Sequence, residues 1–187
     1  MKETINELIA YIKNPVLEKD ENLNFSYRLK KFFSIFFISL LTSFFFTILI
    51  SLLEESGLIS TEKHSVENLF KKLSALHFFI FAVVVAPLIE ESIFRAPLTL
   101  FKKKKNFKIA FYVFAISFGF IHITNYEITK SILLFSPLLI APQIFAGFYF
   151  GFIRVKFGLM WSIALHATYN AFLFSLFLFA KDAITQS

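Results

Sequence analysis

The stretch Phe79–Phe101 reads FIFAVVVAPLIEESIFRAPLTLF, an apolar run interrupted by Glu90, Glu91 and Arg95. A helix needs about 20 apolar residues to cross a bilayer, so this run is long enough to span. A charged side chain near a bilayer centre costs roughly 2.5–3.5 kcal/mol on insertion scales. Three of them in one span point to charges paired inside a bundle or used for chemistry. Arg95 follows Glu91 by one helical turn, on the same face, and can pair with it. Glu90 is rotated about 100° from Glu91 and has no partner within its own helix. An unpaired buried carboxylate suits proton transfer.

Four further apolar runs flank this one, so that the chain reads as about five transmembrane helices: Phe32–Leu53, His77–Phe101, Phe107–Ile123, Ile132–Phe152 and Leu159–Ala180. The chain has 187 residues, of which 57% are hydrophobic, more than a water-soluble domain of this length can hide. The fold class is therefore an all-α integral membrane helical bundle. Residues 1–31 form a cytoplasmic or interfacial segment, 32–180 the bundle and 181–187 a tail. Ile5–Val16 is amphipathic and interrupted at Asn14-Pro15, which predicts a stretch lying on the membrane surface or loosely ordered. Residues 54–74 form the long loop, with a short helix expected near Val66–Leu73. There is no cysteine, which removes disulfides and thiol chemistry.

The net charge of +6 reads as topology rather than as a nucleic-acid patch. Thirteen basic residues flank the spans on the side of the N-terminus, among them Lys102–Lys105, Lys108, Arg154 and Lys156, and five lie on the other side. This places the N-terminus in the cytoplasm and the C-terminus outside. Lysine-rich and phenylalanine-rich composition suggests a bacterial cell membrane.

Two other spans carry polar groups that match the acidic motif. His122 closes the third span, and Phe118 lies one turn before it. Glu90 and His122 stand at similar distances from the turn near Lys104–Asn106, so an antiparallel hairpin brings them to similar depth. His166 and Asn170 share one face of the fifth span, spaced i, i+4. A carboxylate with a histidine can activate water. A second histidine and an asparagine amide can stabilise a tetrahedral oxyanion. The same residue types also suit a metal: Glu90, His122 and His166 could form a zinc first shell with a position for water. Residue types alone leave both chemistries open. The Gly147-x-x-x-Gly151 spacing in the fourth span predicts a close helix packing face.

The order EExxxR at Glu90, Glu91 and Arg95, then FxxxH at Phe118 and His122, then HxxxN at His166 and Asn170 resembles the CAAX-prenyl-protease and bacteriocin-processing (Abi) family of intramembrane proteases. The likeness extends over about residues 80–175, including Gly147, Gly151, Arg154, Gly158 and Trp161. It implies an all-helical bundle with its site in a membrane cavity. It implies that Glu90 and His122 activate water while His166 and Asn170 hold the oxyanion. Members are commonly labelled metalloproteases, which implies zinc, and a metal-free glutamate mechanism is argued for the eukaryotic branch. With fewer spans than that branch, a bacterial chain of this kind is expected to cut a peptide pheromone, a bacteriocin leader or a membrane-protein segment. Two other readings use the same groups: a non-proteolytic immunity or scaffold protein, and a proton-coupled carrier.

Overall fold

The computed structural model describes residues 1–60 and 74–185, the side chains of 181–185 excepted. The helix expected near Val66–Leu73 lies outside the described residues. Every described element is helical: α1 Lys2–Lys13, α2 Phe25–Glu55, α3 Ala75–Ile80, α4 Ala86–Phe94, α5 Lys104–Ile121, α6 Lys130–Leu139, α7 Ala141–Phe157 and α8 Leu159–Thr185. A π-helical turn, Phe81–Val85, joins α3 to α4, and 3-10 turns follow α4 at Ala96–Leu100 and α5 at His122–Asn125.

These elements assemble into five helical stretches long and apolar enough to cross a membrane: Phe25–Glu55, Ala75–Leu100, Lys104–Asn125, Lys130–Phe157 and Leu159–Ala180. Each coincides with an expected span. The outer surface is that of a membrane protein. Along α2, Phe33, Phe37, Leu41, Phe45, Ile48 and Leu52 are all exposed, a stripe that water would penalise and lipid accepts.

Three of the five spans begin at a side-chain cap. Asn24 accepts the Tyr27 amide, Ser74 the His77 amide and Thr129 the Ile132 amide. Such caps satisfy amides that the first turn leaves free. The fourth span breaks between α6 and α7, where Pro137 sits inside α6 and Pro142 opens α7. Gly158 ends α7 at φ 108°, a conformation glycine adopts readily, and lets α8 turn back at once.

Helix α7 is the centre of the bundle. Phe150, Phe152 and Ile153 are fully buried on it. It lies very close to α5: a Cβ added to Gly147 would stand 3.0 Å from the Cα and carbonyl oxygen of Ala115, and one on Gly151 would stand 2.8 Å from the Phe111 ring. The paired glycines thus make the packing face their spacing predicts.

The N-terminal segment differs from the expectation of a surface-lying or loosely ordered stretch. Leu8 and Tyr11 of α1 are buried in the main core. The Tyr11 ring packs edge-on against Phe111 and Phe152, at 5.5 and 5.2 Å, and its hydroxyl donates to Val16 O. Lys31 binds Glu7 at 2.6 Å and Asp20 at 3.2 Å, and the Asp20 amide donates to Lys156 O. The amphipathic face that suggested a membrane surface instead closes one end of the bundle.

Candidate active site

The second span is irregular where it carries the acidic motif, and Pro87 is the reason. In a π register the carbonyl of residue 82 takes its bond from residue 87. Pro87 has no N–H to give. The Asn170 side chain supplies it instead, with Nδ2 donating to Ala82 O at 2.8 Å. The fifth span is thereby pinned to the second one, two turns before Glu90. A second tie to span two follows Arg95, whose carbonyl already accepts the Leu98 amide. Arg154 Nε donates to Arg95 O at 3.1 Å and Nη2 reaches Thr99 Oγ1 at 3.2 Å.

Glu90 and Glu91, pointing to different sectors of α4, have different surroundings. The Glu91 side chain is 0% exposed and that of Glu90 22%. Glu91 is saturated with partners. Oε1 lies 3.1 Å from His166 Nδ1 and 3.5 Å from Arg95 Nη1, and Oε2 accepts a short hydrogen bond from the Ser162 hydroxyl. Glu90 turns toward His166 Nε2, 3.7 Å from its Oε2. His166 thus stands between the two adjacent carboxylates. It also stacks on Phe150, with centroids 4.6 Å apart.

Arg95 is 1% exposed, and its Nη1 and Nη2 make no hydrogen bond within the protein. Its charge is met by the Glu91 ion pair and by π faces, with the guanidinium 4.0 Å above the Phe118 ring and 5.5 Å from that of Phe150. Phe118 also meets the edges of His122 and His166. This gives the phenylalanine of the FxxxH pattern a role: it seats the arginine on its face and both histidines around it. His122 Nδ1 donates to Phe118 O at 2.8 Å, which fixes its tautomer and leaves Nε2 as the acceptor nitrogen when the ring is neutral.

A cavity of about 590 Å³ joins these groups. Glu90, His122, His166 and Asn170 all line it, with Gln143 and Asn125, inside a mainly aromatic wall. The four expected polar residues of three different spans therefore share one space. Glu91 and Arg95 do not line it and stand behind it.

The zinc expectation puts Glu90, His122 and His166 on one ion. Zinc ligands sit about 2.0–2.2 Å from the metal. Among the described residues, no three His, Cys, Asp or Glu side chains gather so that they could hold an ion. His122 Nδ1 is engaged by Phe118 O and His166 Nδ1 by Glu91, which leaves each ring its Nε2.

Two residues of this site escaped sequence reasoning. Ser162 lies one turn before His166, so the spacing Ser162, His166, Asn170 was a polar stripe available to a closer reading. Arg154 counts in the sequence among the basic residues of the N-terminal side and within the family likeness, and nothing in its local sequence signals a bond to span two.

A family model described as Type II CAAX prenyl endopeptidase Rce1-like matches residues 72–172. No curated protein and no solved structure matches the chain. The match covers more than half of the sequence and contains every residue of the cluster from Glu90 to Asn170. The chain belongs to the Type II CAAX prenyl endopeptidase Rce1-like family of membrane endopeptidases.

Proposed function

We propose that this chain hydrolyses a peptide bond within the membrane, with Glu90 as general base and His122 assisting it. The convergence of Glu90, His122, His166 and Asn170 on one cavity carries the reading. Glu90 is the carboxylate that reaches this space, whereas Glu91 spends both oxygens on Ser162, His166 and Arg95. Glu90 takes a proton from water, and the oxygen attacks the scissile carbonyl carbon. The Nε2 of neutral His122 accepts a hydrogen bond from the same water and orients it.

The tetrahedral oxyanion then needs donors. His166 in its imidazolium form gives Nδ1–H to Glu91 and keeps Nε2–H for the oxyanion. Asn170 gives one amide hydrogen to Ala82 O and has a second for the same purpose. When the intermediate collapses, the C–N bond breaks and the proton held by Glu90 passes to the leaving amine. Glu91, Arg95 and Ser162 touch no reacting atom in this scheme. They hold His166 in place.

The substrate is a peptide or a membrane-protein segment with an apolar sequence, matched to the aromatic wall. The test is Glu90→Gln in a chain reconstituted in liposomes with a library of hydrophobic peptides, cleavage being read by mass spectrometry. Loss of at least ~10²-fold is expected, the low end for removing a general acid–base group, with helicity unchanged. Full cleavage by Glu90→Gln rejects Glu90 as base. The side-chain route keeps its activity in a strong chelator. A zinc route loses it there and regains it when metal is added back.

A further inference from the structure

Gln143 has no task in the hydrolytic scheme. It is the one polar side chain between Leu138 and Phe148, in the middle of the fourth span. It stands in the first turn of α7, just past the break made by Pro137 and Pro142. A polar side chain within a span is expensive unless it faces protein or a cavity. Together with Ala146 and Phe150, three and seven residues on, Gln143 forms the stripe of α7 that lines the cavity. Its Oε1 is nevertheless buried without a hydrogen-bond partner. The other such atoms among the described residues belong to Arg95, whose charge is met by Glu91 and by aromatic rings. Leaving a buried acceptor unmet costs free energy, and nothing within the protein offsets that cost at Gln143.

The place of this amide relative to the reactive groups follows from the packing. Helices α5 and α7 run antiparallel, with Gly147 against Ala115 and Gly151 against Phe111. Further along, a Cβ on Gly119 would meet Ile144. Gln143 is therefore level with Gly119, three residues short of His122. At the other end of the stripe Phe150 stacks on His166, with centroids 4.6 Å apart. From Gln143 to that contact is about 10 Å along the helix, the reach of about three residues of extended chain.

We propose that Gln143 binds the backbone of the substrate, with Oε1 accepting from one peptide N–H of an extended apolar peptide, within about three residues of the scissile bond. The proposal rests on the hydrolase reading for the position of that bond. The last torsion of a glutamine is broad and roughly two-fold, and no partner holds the oxygen where it lies, so the amide turns toward the cavity at little cost. The peptide gains as much as the side chain does. Its apolar side chains suit the aromatic wall, but its N–H groups are costly away from water unless they find acceptors. Recognition of this kind leaves the side chain at that position of the peptide free to vary and makes its N–H a requirement.

The test uses the full-length Glu90→Gln chain in lipid nanodiscs, where binding is read without cleavage. The probe is the fluorescently labelled hydrophobic peptide of the cleavage library that this chain binds most tightly. Each backbone amide of the peptide is replaced in turn by an ester, which deletes one N–H. One ester is expected to weaken binding about tenfold, the size of one hydrogen bond. Adding Gln143→Met, similar in length and apolar, should weaken binding of the all-amide peptide by the same factor and abolish the effect of that ester alone. It should also unfold in SDS no earlier than its parent, since it removes an unmet acceptor. Unchanged binding by Gln143→Met overturns the proposal, and so does an ester effect that persists in it. A loss of binding that comes with a loss of stability makes the amide structural and also overturns it. Gln143-dependent binding in a wild-type chain that cleaves nothing would sink the hydrolase reading and leave the backbone contact standing. Cleavage with an unchanged KM in Gln143→Met would do the opposite.

Discussion

Removing the charge of Arg95 should damage the fold far more than removing it together with the charge of Glu91. At 3.5 Å, two unit charges attract by about 5 kcal/mol at an effective dielectric constant of about 20. The Phe118 ring, 4.0 Å from the guanidinium, adds roughly 2 kcal/mol for a desolvated cation–π contact. Against this stand the burial of both charges and the two guanidinium nitrogens with no hydrogen bond in the protein, each leaving about 1–3 kcal/mol unmet. The pair as a whole is close to balance. Either half alone is not, and breaking a buried pair costs roughly 3–5 kcal/mol. Arg95→Met, similar in length and uncharged, should destabilise by that amount. Glu91→Gln should do much the same. The double variant should cost less than the sum by about 2 kcal/mol or more, the coupling of two groups in direct contact. Reversible unfolding in mixed micelles with increasing SDS, followed by circular dichroism, measures all four corners of the cycle. Additive losses, within about 0.5 kcal/mol, would refute the idea that Arg95 is present to neutralise Glu91. Folded Arg95→Met that has lost cleavage would refute a role confined to stability.

Gly147→Ala should destabilise by roughly 1–3 kcal/mol, the cost of overpacking, although alanine is the better helix former by up to about 1 kcal/mol. Its Cβ would press on the Ala115 backbone at 3.0 Å, and the same unfolding assay reads the loss. The closure at the α1 end should be acid-sensitive. Partial burial alone would raise the Asp20 carboxyl, but the Asn22 amide, the Tyr27 hydroxyl and Lys31 outweigh it and hold it below the usual carboxylate range. A carboxyl held low stabilises the fold above its unfolded value of about 3.9, and that contribution is lost as pH falls through its lower folded value. Hydrogen–deuterium exchange of the amides of residues 17–24, corrected for its intrinsic pH dependence, should therefore accelerate in the wild type below about pH 4 and already be fast at neutral pH in Asp20→Asn. Equal exchange of the two at neutral pH would remove Asp20 from the closure.

The spans were legible because a bilayer imposes length and hydropathy on each helix independently of its neighbours. The polar layer was legible for a related reason. Glu90, His122, His166 and Asn170 are conspicuous only because everything around them is apolar, and helical spacing fixes which of them share a face. What stayed hidden depends on partners from other helices. The π turn at Phe81–Val85 follows from Pro87 together with an amide donated from α8, and no window of span two contains that amide. Arg154 looks like any basic residue beside a membrane until span two brings the Arg95 carbonyl and the Thr99 hydroxyl to it. The α1 helix has an amphipathic pattern that would suit a lipid surface equally well, and only the rings of Phe111 and Phe152 decide that it faces protein.

The two adjacent glutamates show why such a site needs a doublet. Consecutive helix positions differ by about 100°, so one residue can face the packed interior while its neighbour faces a cavity. Glu91 takes the interior direction and is saturated there. Its Ser162 and His166 bonds fix the imidazole ring, and Arg95 offsets the charge that this requires. Glu90 takes the cavity direction and keeps its carboxylate available. Separating the two by one more residue would turn the second carboxylate a further 100° and lose either the His166 bond or the cavity. Asn170 carries a comparable double duty, since the amide that closes the π turn is the one proposed to hold the oxyanion. Proline-induced irregularity in span two and the donor set of span five are thus one feature: Pro87 leaves the Ala82 carbonyl bare, and satisfying it fixes Asn170 there and His166, one turn before it in α8, beside Glu90.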